Sequence, residues 1–190
     1  MKRGLKVIAV VVIIVLLIIL PLINAYNGMV TAREQTDSSL AQIQSQLQRR
    51  IDLIPNLVET VKGYAAHEEE IMTHIADARA ALSGASTPAE MAEADASLNN
   101  ALSRLLVVVE NYPTLQANQT FIGLMDELAG TENRIAVARN NYNDAVRVYN
   151  TMLVRFPRNI MAGFFGFEKA EYFEASESAQ DAPTVNFNSQ

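Results

Sequence analysis

The sequence predicts an all-α protein: an N-terminal transmembrane helix followed by an antiparallel up-and-down four-helix bundle. Three observations predict it. A charge-free apolar run, VIAVVVIIVLLIILPLI, occupies residues 7–23. Beyond it, apolar side chains return every three and four positions along four stretches, the period of helices packed at shallow angles. The breaks between those stretches carry the residues that start and stop helices.

The apolar run comes first. At about 1.5 Å per residue it is roughly 25 Å long, close to the ~30 Å hydrocarbon core of a bilayer. Lys2, Arg3 and Lys6 precede it, and the first charge beyond it is Arg33. By the positive-inside rule the N-terminus stays in the cytoplasm and the rest faces the other side. Tyr26 suits the far interface. A cleaved signal peptide is the rival reading, with Ile23-Asn24-Ala25 as the processing site. The run exceeds the usual 7–15 residues of such a peptide, which favours an anchor.

Charge narrows the partners. All 21 acidic residues lie beyond residue 24, with 12 of the 15 basic ones, so the exported part has a net charge of about −9. It presents no basic face for phosphate backbones, which argues against nucleic acid. Cysteine is absent, so thiol chemistry and disulfides are excluded.

The longest periodic stretch reads Phe121, Leu124, Leu128, Thr131, Ile135, Ala138, Tyr142, Ala145, Tyr149, Met152, Phe156. A second runs Ile54, Leu57, Val61, Tyr64, Glu68, Ile71, Ile75, Ala78, Leu82, and a third runs Met91, Ala94, Leu98, Ala101, Leu105, Val108, Tyr112. A weaker first one, Met29, Arg33, Thr36, Leu40, Ile43, Leu47, Arg50, Ile54, continues from the anchor. Such seams imply coiled-coil-like packing.

The junctions follow. Thr87-Pro88-Ala89-Glu90 is a capping box with proline at the first helical position. Asn118 caps the fourth helix, and Pro157 ends it. Pro55 leaves two readings. Either Asp52-Leu53-Ile54 is the turn between the first two helices and Pro55 opens the second, or one long helix is kinked there. Counting from a turn at Pro55 places Glu68 and Thr131 in one layer, with Arg134 or Asn99 as partner for the carboxylate. Polar seam residues of this kind fix register.

The predicted organisation is therefore a basic flank and anchor over residues 1–25, a bundle over 26–157, an aromatic membrane-proximal segment over 158–173 and a disordered polar tail over 174–190. The last helix returns to the bilayer. FPRNIMAGFFGFEKAEYF then holds four of the seven phenylalanines between Phe156 and Phe167, beside Arg155, Arg158 and Lys169. It suits either the headgroup boundary or a cover for the open end of the bundle core, and both can hold.

Chemistry finds little support. His67, Glu70 and His74 share one helical face, and two imidazoles with a carboxylate suit zinc or iron. Yet di-metal bundles use Glu-x-x-His pairs on two helices with carboxylates from two more, and these are the only histidines. A solvated face is the plainer reading. Glu68-Glu69-Glu70 point in different directions along a helix and do not converge on a substrate. No phosphate loop or serine elbow is present, so neither a catalytic residue nor a cofactor is expected.

Residues 49–68, with RR, DLIPNLV, TVKGYA and HE, resemble the central motif of the LemA family. So do Glu110 with Tyr112-Pro113-Thr114-Leu115, GTENRIAVARNNYNDAVRVYN from Gly130 to Asn150, and the closing FP with MAGFFGF. Leu40 and Gln44 stand where many members carry tryptophan and aspartate. The resemblance implies a bacterial membrane protein with a helical bundle outside the cytoplasm and no assigned reaction. The positions matching its motifs are then architectural: Arg50, Asp52, Pro55 and Asn56 at an upper turn, Tyr64 and Glu68 on the second helix, and Glu132, Asn133, Arg134, Arg139, Tyr142 and Asn143 on the fourth.

Two functions follow from these expectations. The first is a single-pass scaffold or interaction protein of the inner membrane, held in lipid through residues 5–25 and binding another envelope protein or itself. The second is a metal-dependent or regulatory envelope enzyme using His67, Glu70 and His74.

Overall fold

A computed structural model describes residues 2–65 and 67–174; the predicted tail beyond Glu174 lies outside the described residues. Among the described residues every regular element is a helix: α1 (Lys2–Lys62), α2 (Glu69–Gly84), α3 (Pro88–Val109), the single turn α4 (Pro113–Gln116), α5 (Gln119–Val154) and α6 (Arg158–Phe165). The chain forms two compact units. One joins the chain up to Ser39 with Asn141–Glu171, and the other joins Leu40–Asn140 with the chain from Tyr172.

The turn expected at Asp52-Leu53-Ile54 does not exist. Helix α1 continues through Pro55 for seven further residues, so the continuous-helix reading holds, and the reversal falls at Gly63–Glu68. A proline inside a helix removes one backbone donor, at a cost of about 3 kcal/mol. The orphan here is the Ile51 carbonyl, four residues earlier, and Arg79 of α2 donates its Nε–H to that oxygen at 3.1 Å. Pro55 itself is exposed, while Ile51, Ile54, Leu57 and Val61 are buried on either side of it. At roughly 1.5–3 kcal/mol for each buried aliphatic side chain, that stripe outweighs the proline.

Moving the turn also dissolves the expected Glu68–Thr131 layer. Glu68 sits just before α2 and accepts a hydrogen bond from the Tyr112 hydroxyl at 3.0 Å. Thr131 is buried on α5, donates to the Glu127 carbonyl at 2.7 Å and accepts from Arg134 at 3.1 Å.

The other junctions are as the residues dictate. The Thr87 hydroxyl accepts from the Glu90 amide and the Glu90 carboxylate accepts from the Thr87 amide, both at 3.2 Å, with Pro88 opening α3. The Asn118 side-chain oxygen accepts from the amides of Thr120 and Phe121 at 2.9 and 3.0 Å, so it caps α5.

The third seam is buried from Met91 to Leu105. The α5 seam is followed from Phe121 to Tyr142, and Tyr149 is buried as well. Beyond Tyr142 the stripe slips: Val146 and Leu153 are buried where Ala145 and Met152 were expected, and Phe156 is 80% exposed. Steps of four, four and three replace strict alternation, which untwists the stripe towards the 3.6 residues per turn of a straight helix.

Candidate functional site

Two constellations stand out, one in each unit. The first is a cluster of charge buried among α1, α3 and α5. The Arg50 side chain is 3% exposed. Its Nη1 donates to Asp95 Oδ1 at 2.7 Å and also to Glu132, and its Nη2 donates to Asn99. Arg139 takes the other Asp95 oxygen and stacks its guanidinium 4.9 Å over the Phe173 ring. Two arginines thus meet two carboxylates, and the formal charge of the cluster is zero.

Asp95 is fully buried. Burial pushes its carboxyl above the usual carboxylate range, the Arg50 and Arg139 guanidiniums pull it back, and the Glu132 carboxylate adds to the rise. Arginine does not give up its proton at any ordinary pH, and both Asp95 oxygens are occupied. Such a cluster clamps three helices at one level. The Nε atoms of Arg50 and Arg139 are buried without a hydrogen-bond partner.

The second constellation is an apolar cleft of about 540 Å³, open on one side, in the other unit. Helix α1 lines it with Ile19, Leu22, Ile23 and Tyr26, and α6 with Ile160, Met161, Phe164 and Phe165. One face of α6 buries Met161 and Ala162 against Ala25, Met29, Tyr149 and Leu153, so this segment does cover a core. The other face leaves Phe164 83% exposed, with Ile160 and Phe165 also open.

Local geometry fixes this foot. Gly166 ends α6 at φ +71°, a left-handed conformation that glycine adopts without Cβ strain. The chain then reverses, and the Phe167 amide donates to the Ala162 carbonyl at 2.9 Å. Tyr26 meets Phe165 and Phe167 edge-on, with ring centroids 4.9 and 5.7 Å apart. Beyond Phe167 the chain has no regular secondary structure and is tied down. Asn150 exchanges two 2.9 Å hydrogen bonds with the Ala170 backbone, and the Tyr142 hydroxyl donates to the Glu171 carbonyl at 2.7 Å. Burial raises the Tyr142 phenol above its ordinary pKa, helped by the charges of Glu171 and Asp37.

The motif residues are dispersed. Arg50, Glu132 and Arg139 share the charge cluster. Arg50 is not at an upper turn but within α1, and neither are Asp52, Pro55 and Asn56. Asp52 accepts from Gln48 at 2.8 Å, and the Asn56 carbonyl accepts from Thr60 at 2.7 Å. Tyr64 lies in the loop after α1, where its hydroxyl accepts from Asn118 at 2.8 Å. Arg134 reaches Gln46 at 3.2 Å, Asn133 is exposed and Asn143 is half-buried.

Asp95 and Asn99 complete the cluster from α3. Asn99 had been placed as a partner for Glu68 and instead serves Arg50; Asp95 had not been singled out. Acids flank the apolar position Ala94 on both sides; Glu93 is exposed, and Asp95, four residues after Met91 and three before Leu98, lies on the buried flank of the stripe.

His67 is exposed in the loop before α2, and His74 and Glu70 approach to 3.6 Å on the exposed face of that helix. Among the described residues no group of three histidines, aspartates or glutamates is placed to share a metal ion.

The chain is 33% identical to Magnetosome protein MamQ 2 of Paramagnetospirillum magneticum, over 86% of this chain and 70% of that protein. It is 30% identical to Magnetosome protein MamQ of Magnetospirillum gryphiswaldense over the same shares. To Protein LemA of Metamycoplasma hominis it is 24% identical, over 80% of this chain and 69% of that one. The family model that matches, over residues 39–187, is that of the LemA family. This chain, with its apolar leading helix and its Arg50-centred clamp, belongs to the LemA family.

Proposed function

We propose that the protein is a membrane-anchored, non-enzymatic scaffold or interaction protein of the bacterial cell envelope: a single-pass anchor carrying an up-and-down bundle of α1, α2, α3 and α5. One observation carries the reading. A single unbroken helix, α1, is apolar and exposed from Val10 to Leu17 and further on carries a buried stripe to Val61. Its start is long and apolar enough to cross a membrane. The anchor and the start of the bundle are therefore continuous in one helix. The similar proteins are named for the magnetosome or for their family.

Two measurements test this. The chain has no cysteine, so single replacements report topology. Asn100→Cys is expected to react with a membrane-impermeant maleimide in intact cells, and Gly4→Cys only after lysis. The reverse pattern overturns the orientation. Crosslinking in intact cells followed by mass spectrometry is expected to recover a second protein or a second copy of this chain. Recovery of lipid alone, from a monomer, counts against the scaffold.

A further inference from the structure

We propose that the cleft between α1 and α6 is a phospholipid site, taking an acyl chain along its apolar wall and the phosphate on Arg158 and Arg155. It rests on the anchor reading, because that reading sets its depth. Ile19, Leu22 and Ile23 form the last turns of the apolar run, and α6 packs onto them. The cleft therefore opens where the hydrocarbon of the bilayer ends. Its volume lies within the ~300–1,000 Å³ usual for ligand sites, and its wall is apolar.

Arg158 stands where a headgroup would be. The Arg158 Nη2 lies 3.8 Å from where a side chain on Gly28 would begin. Gly28 is five residues beyond Ile23, about 7.5 Å along the helix axis, and thus at the level of the phosphates. Arg155 lies three residues before Arg158. Among the described residues neither guanidinium has a carboxylate or other acceptor as partner, and a guanidinium fork matches a phosphate. Phe164, Phe165 and Ile160 are then exposed because lipid, and not water, meets them.

Tryptophan is absent from the chain, so one introduced indole reports its own surroundings. Full-length Phe164→Trp and Ile13→Trp proteins are reconstituted into phosphatidylcholine vesicles with and without phosphatidylglycerol, with bromine at defined depths on the acyl chains. Bromines near the ester are expected to quench Phe164→Trp about twofold or more, and deep bromines to quench Ile13→Trp. Phosphatidylglycerol carrying the bromine is expected to quench Phe164→Trp more than brominated phosphatidylcholine does. Arg155→Gln and Arg158→Gln are each expected to weaken that preference about fivefold, with helical circular dichroism unchanged.

If Ile13→Trp is quenched and Phe164→Trp is not, the lipid site is wrong and the anchor stands. A blue-shifted but unquenched Phe164→Trp would mean that protein covers the cleft, which also overturns the site. If neither indole is quenched, the anchor falls and the site with it. Quenching indifferent to both arginines overturns phosphate recognition and hence the proposal.

Discussion

The two halves of α1 use the same side chains in opposite ways. Leu17, in the apolar run, is 68% exposed, whereas Leu57, forty residues later on the same helix, is fully buried. The early segment is apolar on every face, and the later one is apolar on a stripe that includes Met29, Ile43, Leu47 and Ile54. A helix greasy all round finds its solvent outside the protein, whereas a striped helix finds it inside. The difference teaches that exposure of apolar surface in the first half is a statement about the medium. Burial of Arg50 in the second half is the converse: a charge enters the interior only because its counter-charges enter with it.

That converse is the place to push hardest. Asp95→Ala leaves the Arg50 guanidinium buried with Glu132 as its one remaining carboxylate. The expected cost is about 3–5 kcal/mol in chemical unfolding of the full-length protein in detergent, read by helical circular dichroism. A loss below about 1 kcal/mol would show that the cluster is open to water. The pH dependence has a definite sign. Because burial raises the Asp95 pKa, the folded state holds this proton more tightly than the unfolded state does. The contribution of Asp95 is greatest below the ordinary carboxylate pKa and falls as pH rises through the raised one. Wild type should therefore lose stability relative to Asp95→Asn as pH increases through that window.

The next test addresses the comparison itself. Leu57→Ala is expected to cost about 2–5 kcal/mol in the same unfolding assay, as a truncation in a packed core does. Leu17→Ala, the identical change, should stay within about 0.5 kcal/mol. Equal effects would erase the distinction between the two halves.

Much of this was legible because periodicity and caps are local. The apolar run, the Thr87 box, the Asn118 cap and the third seam as far as Leu105 depend on residues within a few positions of one another, and each stands where its residues indicate; beyond Leu105, Val109 is buried where Val108 was expected. The passage of α1 through Pro55 was only one of two readings, because what supports it is tertiary: the buried stripe and Arg79, 28 positions beyond the Ile51 carbonyl that it serves. The charge cluster was half legible. Glu132 and Arg139 belong to the family motifs and Arg50 fell on a seam, but their meeting with Asp95 is set by three-dimensional register. The slip of the α5 stripe at Val146 was hidden for a similar reason. Ala145 and Val146 are both apolar, so the sequence pattern allows either step, and packing selects the larger side chain.

The Arg79 contact gives a test of intermediate size. Arg79→Met should leave the Ile51 carbonyl without its donor, at an expected cost of about 1–3 kcal/mol. Pro55→Ala restores the backbone N–H that this carbonyl lacks, so in that background Arg79→Met should cost much less. The cycle isolates one hydrogen bond. If Arg79→Met costs the same in both backgrounds, the arginine acts through packing, and the explanation for the unbroken helix has to be sought in the buried stripe alone.

The smallest effect belongs to the foot. Gly166→Ala places a Cβ on a left-handed residue, with an expected penalty of about 1–2 kcal/mol. No atom lies within 4 Å of where that Cβ would sit, so the penalty is one of backbone conformation and not of collision. It should act locally, loosening the reversal that brings Phe167 onto Tyr26 while leaving the Arg50 clamp untouched. Amide hydrogen exchange separates the two: protection should fall at Phe167 and Ala170, whose amides bond to Ala162 and Asn150, and stay unchanged along α3. Uniform loss of protection would mean that the foot and the clamp unfold as one body, and the contrast between the two units would then be one of composition only.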